Sequence, residues 1–402
     1  MAFLQNVSDF CPQNTMRSIL LLLLSLIPFM HAMSGLSLEE EIKSCMEQKN
    51  CIGISVVVVK ENRIVYNNCF GYNPNYADST DRRPICKGDI YWIASISKTF
   101  VATAIMQLVE EKKLSLDDDV NRYLDFKVQN PYFPNIPITV KMLLSHRSSL
   151  NDQQYEYSFN KVNPERNPEY RLLYNRYLPG ADYDYCNMGY NILGAIIEKV
   201  SGIRFDDYIR SRIIAPLGLG GDFNVSKLDK NRLVWTYIYN KEKKTFVKDR
   251  TLYTYYEDKM NDYVLGYTTP VFSPAGGMKI SAEDLARYMM MHMNDGKYNS
   301  KRIIKKRSER MMREIQTPEK HYALSLRHYN NDGYTVIKDV ELIGQTGGSH
   351  GIHSSMIFNP KEKYGFIVIC NGCTSKYPDG ADLSNKIINV CYQHFIKSGI
   401  KK

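Results

Sequence analysis

The sequence predicts an α+β protein: one antiparallel sheet built from both ends of the chain, terminal helices packed on it, and a helical lobe inserted between. Three observations carry this expectation. A continuous β-branched run, Ile54 to Lys60, is followed after polar Glu61-Asn62-Arg63 by Ile64 to Phe70, the pattern of a hairpin whose first strand is buried. Strand signals return only near the end, in Thr335–Ile343, Ser354–Phe358 and Tyr364–Cys370. Between them, residues 114–320 alternate helical stretches with loops rich in Pro, Asn and Tyr.

Taken in order, Leu38–Met46 reads as a short helix ahead of the hairpin. From Phe100 the apolar positions Val101, Ala104, Ile105, Leu108 and Val109 share one helical face, and Lys112-Lys113 suits a helix C-terminus. Asn359-Pro360-Lys361 marks a turn between the last two strands. Leu383, Ile387, Ile388, Cys391 and Phe395 form the apolar stripe of a closing amphipathic helix. The expected division is a sheet lobe from about 33–95 and 325–402 with a helical lobe from about 96–324, and a cleft between lobes is the default place for a site.

The 402 residues are 44% hydrophobic and 24% charged, which excludes a disordered, collagen-like or low-complexity chain. The net charge of +9 is spread along the chain, so no nucleic-acid partner is expected. The longest basic run, Lys301–Arg310, reads as a solvated helix face. Ile19–Met30 is an apolar run of about 12 residues, too short for a membrane span of ~20. Arg17 precedes it and Ala32 follows, the order of a secretory signal cleaved near Ala32. The expectation is a signal peptide at 1–32, a catalytic domain at 33–402 and an exported protein, with membrane association only through the N-terminal segment. Eight cysteines then remain (45, 51, 69, 86, 186, 370, 373 and 391), a number that permits disulfides without requiring them. No His/Cys cluster has zinc spacing, and neither metal nor cofactor is expected.

The chemistry starts at Ser95-Ile96-Ser97-Lys98. Ser and Lys three apart at a helix start share a face, so an amine lies beside the hydroxyl. A serine hydroxyl is a poor nucleophile until a base takes its proton, and a desolvated lysine can be that base. The helix N-terminus adds N–H groups that can hold an oxyanion. Tyr185-Cys186-Asn187 stands before an apolar segment running to Gly202, and Gly344-Gln345-Thr346-Gly347-Gly348 stands just before a strand signal.

This ordered triple resembles the serine β-lactamase and penicillin-binding protein superfamily. Tyr-x-Asn as second motif resembles the class C branch with its DD-peptidase and esterase relatives. Ile138–His146 and Ala275-Gly276-Gly277-Met278, leading to Ala282–Ala286, are similar to segments of the same branch. The resemblance implies a β-lactamase/transpeptidase-like fold, acylation of Ser95 and hydrolysis of the acyl-enzyme on an amide, peptide, lactam or ester, with a small molecule or peptide as partner. It implies that Lys98 shares a proton network with Ser95 and that Tyr185 shuttles a proton to the leaving group. Asn187 would hold Lys98 and a substrate amide, the N–H groups of Ser95 and Gly348 would form the oxyanion hole, and Gln345, Thr346, Gly347 and Gly348 would line the substrate edge. The same fold also serves as a sensor that acylates without deacylating, or as a structural relative without catalysis.

One position departs from the pattern. The third motif usually opens with Lys or His, and here it opens with Gln345. A neutral amide forgoes a charge-assisted bond to a substrate carboxylate, worth about 1.5–3 kcal/mol. This favours a peptidase, esterase or amidase over an efficient β-lactamase. His350 and His353 are the nearby groups that could restore a charge. His146 reads as a satisfied packing histidine, and Glu198 and Asp284 as helix-surface or cap residues. Tyr155, Tyr157, Tyr170, Tyr174, Tyr177 and Tyr183 before the second motif, and Trp235, Tyr237, Tyr239, Tyr253, Tyr255 and Tyr256 in the middle, either wall the cleft or pack under loops.

Overall fold

A computed structural model describes residues 36–74, 82–153, 156, 158–249, 260–329, 335–374 and 380–399. The expected signal segment and Tyr155, Tyr157, Tyr253, Tyr255 and Tyr256 lie outside the described residues. In chain order the strands are β1 (Gly53–Lys60), β2 (Arg63–Pro74), β3 (Arg82–Pro84), β4 (Ile90–Trp92), β5 (Tyr237–Asn240), β6 (Thr245–Lys248), β7 (Lys279–Ser281), β8 (Lys297–Tyr298), β9 (Lys301–Arg302), β10 (Arg327–Tyr329), β11 (Leu342–Ser349), β12 (Ile352–Asn359) and β13 (Tyr364–Cys370). The α-helices are α1 (Leu38–Gln48), α2 (Ser97–Glu110), α3 (Val140–Leu144), α4 (Asn187–Ser201), α5 (Phe205–Ile209), α6 (Ala282–Met293), α7 (Lys306–Arg313) and α8 (Gly380–Cys391).

The main sheet is seven-stranded and antiparallel, in the order β10-β11-β12-β13-β1-β2-β3. The two ends of the chain meet where β1 pairs with β13, Val56 opposite Val368 and Val58 opposite Phe366. This sheet is buried on both faces, which is why β1 is apolar without alternation. Val57 and Val59 point into the core shared with α6, whereas Val56 and Val58 point into the core under α1 and α8. The N-terminal helix starts on a capping box, Ser37 with Glu40. The α+β architecture expected from the sequence is therefore the one observed.

Helix α2 runs through the middle of the helical part, packed on α4 and α5. Its residues from Ser97 to Leu108 are all buried, so it is apolar around its whole circumference rather than striped. Its first turn, which carries the Ser-Lys pair, opens toward the β11 end of the sheet.

Three expectations need correction. The strand expected over Thr335–Ile343 begins only at Leu342 and continues to Ser349. The third motif therefore lies inside β11, not before a strand; seven residues of pairing with β12 outweigh the weak strand preference of Gly, Gln and Thr. Glu198 is not a surface residue. It is fully buried in α4 and accepts from Phe205 N (2.7 Å), Gly266 N (2.7 Å), Thr269 Oγ1 (2.6 Å) and Tyr263. The basic run Lys301–Arg310 is split between β9 and α7, and its one acid, Glu309, is buried against His292 at 2.8 Å. Asp284 does act as a cap residue in the first turn of α6, accepting from Gly220 N at 3.0 Å.

Candidate active site

Ser95 sits where β4 turns into α2. Strand β4 pairs with β7, and Ile93 N donates to Met278 O at 3.0 Å. Ala94 then takes a left-handed conformation (φ 46°), sparsely populated for a residue with a Cβ. The turn Ala94–Ile96 runs directly into α2. Neighbours hold this strained corner in place. Ser97 Oγ donates to Ala94 O at 2.6 Å and accepts from Met278 N at 2.9 Å. From β12, Ser354 Oγ donates to Ile93 O at 2.8 Å. Trp92 Nε1 donates to Gly276 O.

One turn into the helix, Lys98 has no solvent contact. Its Nζ lies 3.2 Å from Ser95 Oγ, 2.7 Å from Asn187 Oδ1 and 2.7 Å from Ala275 O. Burial lowers its pKa to about 7, against the opposing pull of Asp152 and Cys186. A substantial neutral fraction therefore exists at neutral pH, which lets this amine receive a proton. Asn191, one turn beyond Asn187 on α4, accepts from Ala275 N at 3.2 Å and so steadies the Ala275 carbonyl. The Tyr185 ring lies 4.8 Å from Lys98 Nζ and the Tyr190 ring 5.4 Å.

His146 is only half satisfied. Its Nδ1 accepts from Cys186 N at 3.1 Å, but Nε2 is buried without a partner. Its ring centroid lies 4.2 Å from that of Tyr185 and 5.0 Å from that of Tyr322. Burial, aided by the charges of Lys98 and Arg327, holds it neutral.

The third motif supplies the wall opposite. Strand β10 covers only Leu342–Gly344 of β11, so from Gln345 onward the outer edge of β11 has no strand partner among the described residues. Gly347 is a close-approach glycine: a Cβ there would lie 2.3 Å from Ile93 O, 2.5 Å from Ser354 Oγ and 3.0 Å from Ser95 N. Only glycine lets this strand reach the nucleophile segment. Thr346 and Gly348 flank it half-exposed. Gln345 is buried, its Nε2 donating to Tyr322 Oη (3.0 Å) and Ser325 O (3.2 Å).

Ser95, Lys98, Tyr185 and Asn187 are thus one cluster, and Gly347 ties the β11 edge to it. Neither histidine downstream joins them. His350 Nδ1 lies 2.5 Å from Asp249 Oδ2, and His353 is buried on β12 beside Cys373. Sequence reading missed Asp152, Asn191 and Tyr322. A lone Asp in a loop has no spacing that marks it; Asn191, one turn after Asn187, could have been found from the helical period. Among the described residues no group of His, Cys, Asp and Glu is placed to hold a metal ion.

The β-lactamase family profile matches residues 38–386, which spans every element of this site. The chain belongs to the β-lactamase family. In this β-lactamase-family protein the resemblance drawn from three short motifs extends through the fold. It is 26% identical over 363 residues to protein flp of Staphylococcus aureus strain MRSA252, covering 87% of this chain and 65% of that protein's length. It is similar to the octameric penicillin-binding protein homologue of Pyrococcus abyssi, with a TM-score of 0.69 and 27% identity over 89% of this chain and 77% of the other. It also shares its fold with EstCE1, a hydrolase with promiscuous acyltransferase activity (TM-score 0.67, 20% identity, 88% of this chain and 98% of the other). Together these place the chain among serine hydrolases of the β-lactamase and penicillin-binding superfamily.

Proposed function

We propose that the protein is an exported, class C β-lactamase-like hydrolase that acylates Ser95 and then hydrolyses the acyl-enzyme, acting on amides, peptides or esters in preference to β-lactams. The observation that carries this reading is the Lys98 amine, sealed from solvent, brought to about 7, and 3.2 Å from Ser95 Oγ. In the forward step Ser95 Oγ bonds to the substrate carbonyl carbon and its proton passes to Lys98. The N–H groups of Ser95 and Gly348 hold the developing oxyanion. The proton then reaches the leaving nitrogen or oxygen by way of Tyr185 as the scissile bond breaks. Water attacks the ester next, and the same groups return the proton to Ser95. Substrate lies along the open edge at Thr346, Gly347 and Gly348, with its amide toward Asn187. No step needs a metal or organic cofactor.

The preference against β-lactams rests on Gln345, neutral and committed to Tyr322 and Ser325. Export rests on the Ile19–Met30 signal pattern. A panel of a short acyl ester, a D-amino acid amide, a D-Ala-D-Ala peptide and a chromogenic lactam tests the substrate class. Turnover of ester or amide with slow lactam hydrolysis is expected; lactam turnover as fast as the best ester contradicts it. An acyl adduct stable for hours on every substrate would make the protein a sensor instead.

A further inference from the structure

An asparagine amide has two ends of similar shape, and its hydrogen-bond partners decide which faces where. Asn187 lies between Lys98 and Asp152. Asp152 Oδ2 accepts from Asn187 N at 2.7 Å and from Asn187 Nδ2 at 2.7 Å. Asp152 Oδ1 accepts from Met188 N at 3.1 Å and from Cys186 Sγ at 3.3 Å. The residue at the N-cap of α4, Cys186, makes no capping bond of its own, and this carboxylate from a separate loop takes the place of one. Four donors converge on it, as an ionised carboxylate requires.

We propose that Asp152 is a positioning residue that fixes the polarity of the Asn187 amide and thereby turns the electron pair of Lys98 toward Ser95; the proposal rests on the acyl-transfer reading of Ser95. An ionised carboxylate only accepts, so Nδ2 must face Asp152 and Oδ1 must face Lys98. Ala275 O, also an obligate acceptor, lies on Lys98 as well. A neutral lysine has two N–H bonds and one electron pair. Asn187 Oδ1 and Ala275 O occupy both N–H bonds, and the direction left toward Ser95 Oγ holds the electron pair that receives its proton. A reversed Asn187 amide would aim an N–H at the amine and compete with Ser95 for that pair. No other group in the site dictates the amide's sense, because Tyr185 and Tyr190 meet Lys98 through their rings.

Asp152 also acts through charge. It and Cys186 favour the ammonium form of Lys98, against burial; neutral His146, from the end of α3, faces the same space, with Arg327 beyond it. Removing the Asp152 charge and freeing the amide both favour the neutral amine.

The test uses Asp152→Asn and Asp152→Glu beside wild type. The Lys98 titration is followed by the ¹³Cε shift, assigned with Lys98→Arg, and Ser95 labelling by a fluorophosphonate is timed at pH 8. In Asp152→Asn the Lys98 midpoint falls to lower pH while labelling slows about 100-fold, the scale of a misdirected general base. Asp152→Glu, still only an acceptor, recovers part of the rate. A purely structural role would lower Tm with the midpoint unmoved. An unmoved midpoint together with a rate within about twofold of wild type overturns the proposal. In wild type, nuclear Overhauser effects from the Asn187 Nδ2 protons to the Asn187 and Met188 amide protons support it, and effects to the Lys98 ε-protons overturn it even if no variant folds. Absence of Ser95 labelling in wild type refutes the acyl-transfer reading alone, since the titration and the amide orientation are read without turnover.

Discussion

A lysine without solvent contact destabilises a fold whenever it is charged, and Lys98 gives that rule a measurable sign. Its folded pKa is about 7 against 10.5 for an exposed lysine. Between those values the unfolded chain binds more protons, so stability rises with pH across the window, by on the order of 4 kcal/mol in all. Lys98→Met should therefore raise Tm relative to wild type more at pH 6 than at pH 9.5; an equal difference at both pH values would show that Lys98 is not shifted. The rate of Ser95 acylation should climb with pH through about 7 for the same reason. Gln345→Lys places an ammonium beside two acceptors already in position, Tyr322 Oη and Ser325 O. Penicillin acylation should then speed up about tenfold or more, the worth of one charge-assisted bond; an unchanged rate would dissociate Gln345 from carboxylate recognition. At this scale the sequence was readable where spacing carries chemistry. Ser95, Lys98 and Asn187 announce themselves by motif, whereas Asp152 acts through a contact made 35 residues away from Asn187.

Among the elements, β11 and α4 carry the precision. Gly347→Ala would drive a methyl against Ile93 O and Ser354 Oγ. The strand must retreat from Ser95, with a stability loss of about 1–3 kcal/mol and a larger proportional loss of labelling rate. Urea melts and labelling rates of this variant separate the two effects, and unchanged labelling would mean that β11 does not contribute to the oxyanion site. Glu198→Ala removes the acceptor of four buried donors behind α4 and should cost about 3–5 kcal/mol in the same melts. Strand legibility followed composition. β1 and β13 are runs of Val and Ile and were placed within about a residue. β11 is built from Gly, Gln and Thr, whose strand state comes from pairing with β12, and pairing is invisible in a single segment.

For the whole molecule, the sheet joins two distant parts of the chain at the β1–β13 seam, and thiols lie at the end of that seam. Cys51 Sγ and Cys370 Sγ are 3.2 Å apart, and Cys373 neighbours Cys370. Oxidised glutathione should link Cys51 to Cys370 or Cys373 without unfolding, which peptide mapping under non-reducing conditions would detect; retention of all three free thiols would contradict that proximity. The fold class was legible because strands cluster at both ends of the sequence and helices in its middle. The depth of the site was not, because it depends on how α2, α4 and the Ala275 turn converge around one amine. That convergence is tested most directly by intact-mass analysis of wild type and Ser95→Ala after exposure to a fluorophosphonate or a penicillin. One adduct on the wild-type chain, mapped to Ser95 and absent from Ser95→Ala, is the expected result; equal labelling of both chains would contradict the assignment of Ser95 as nucleophile.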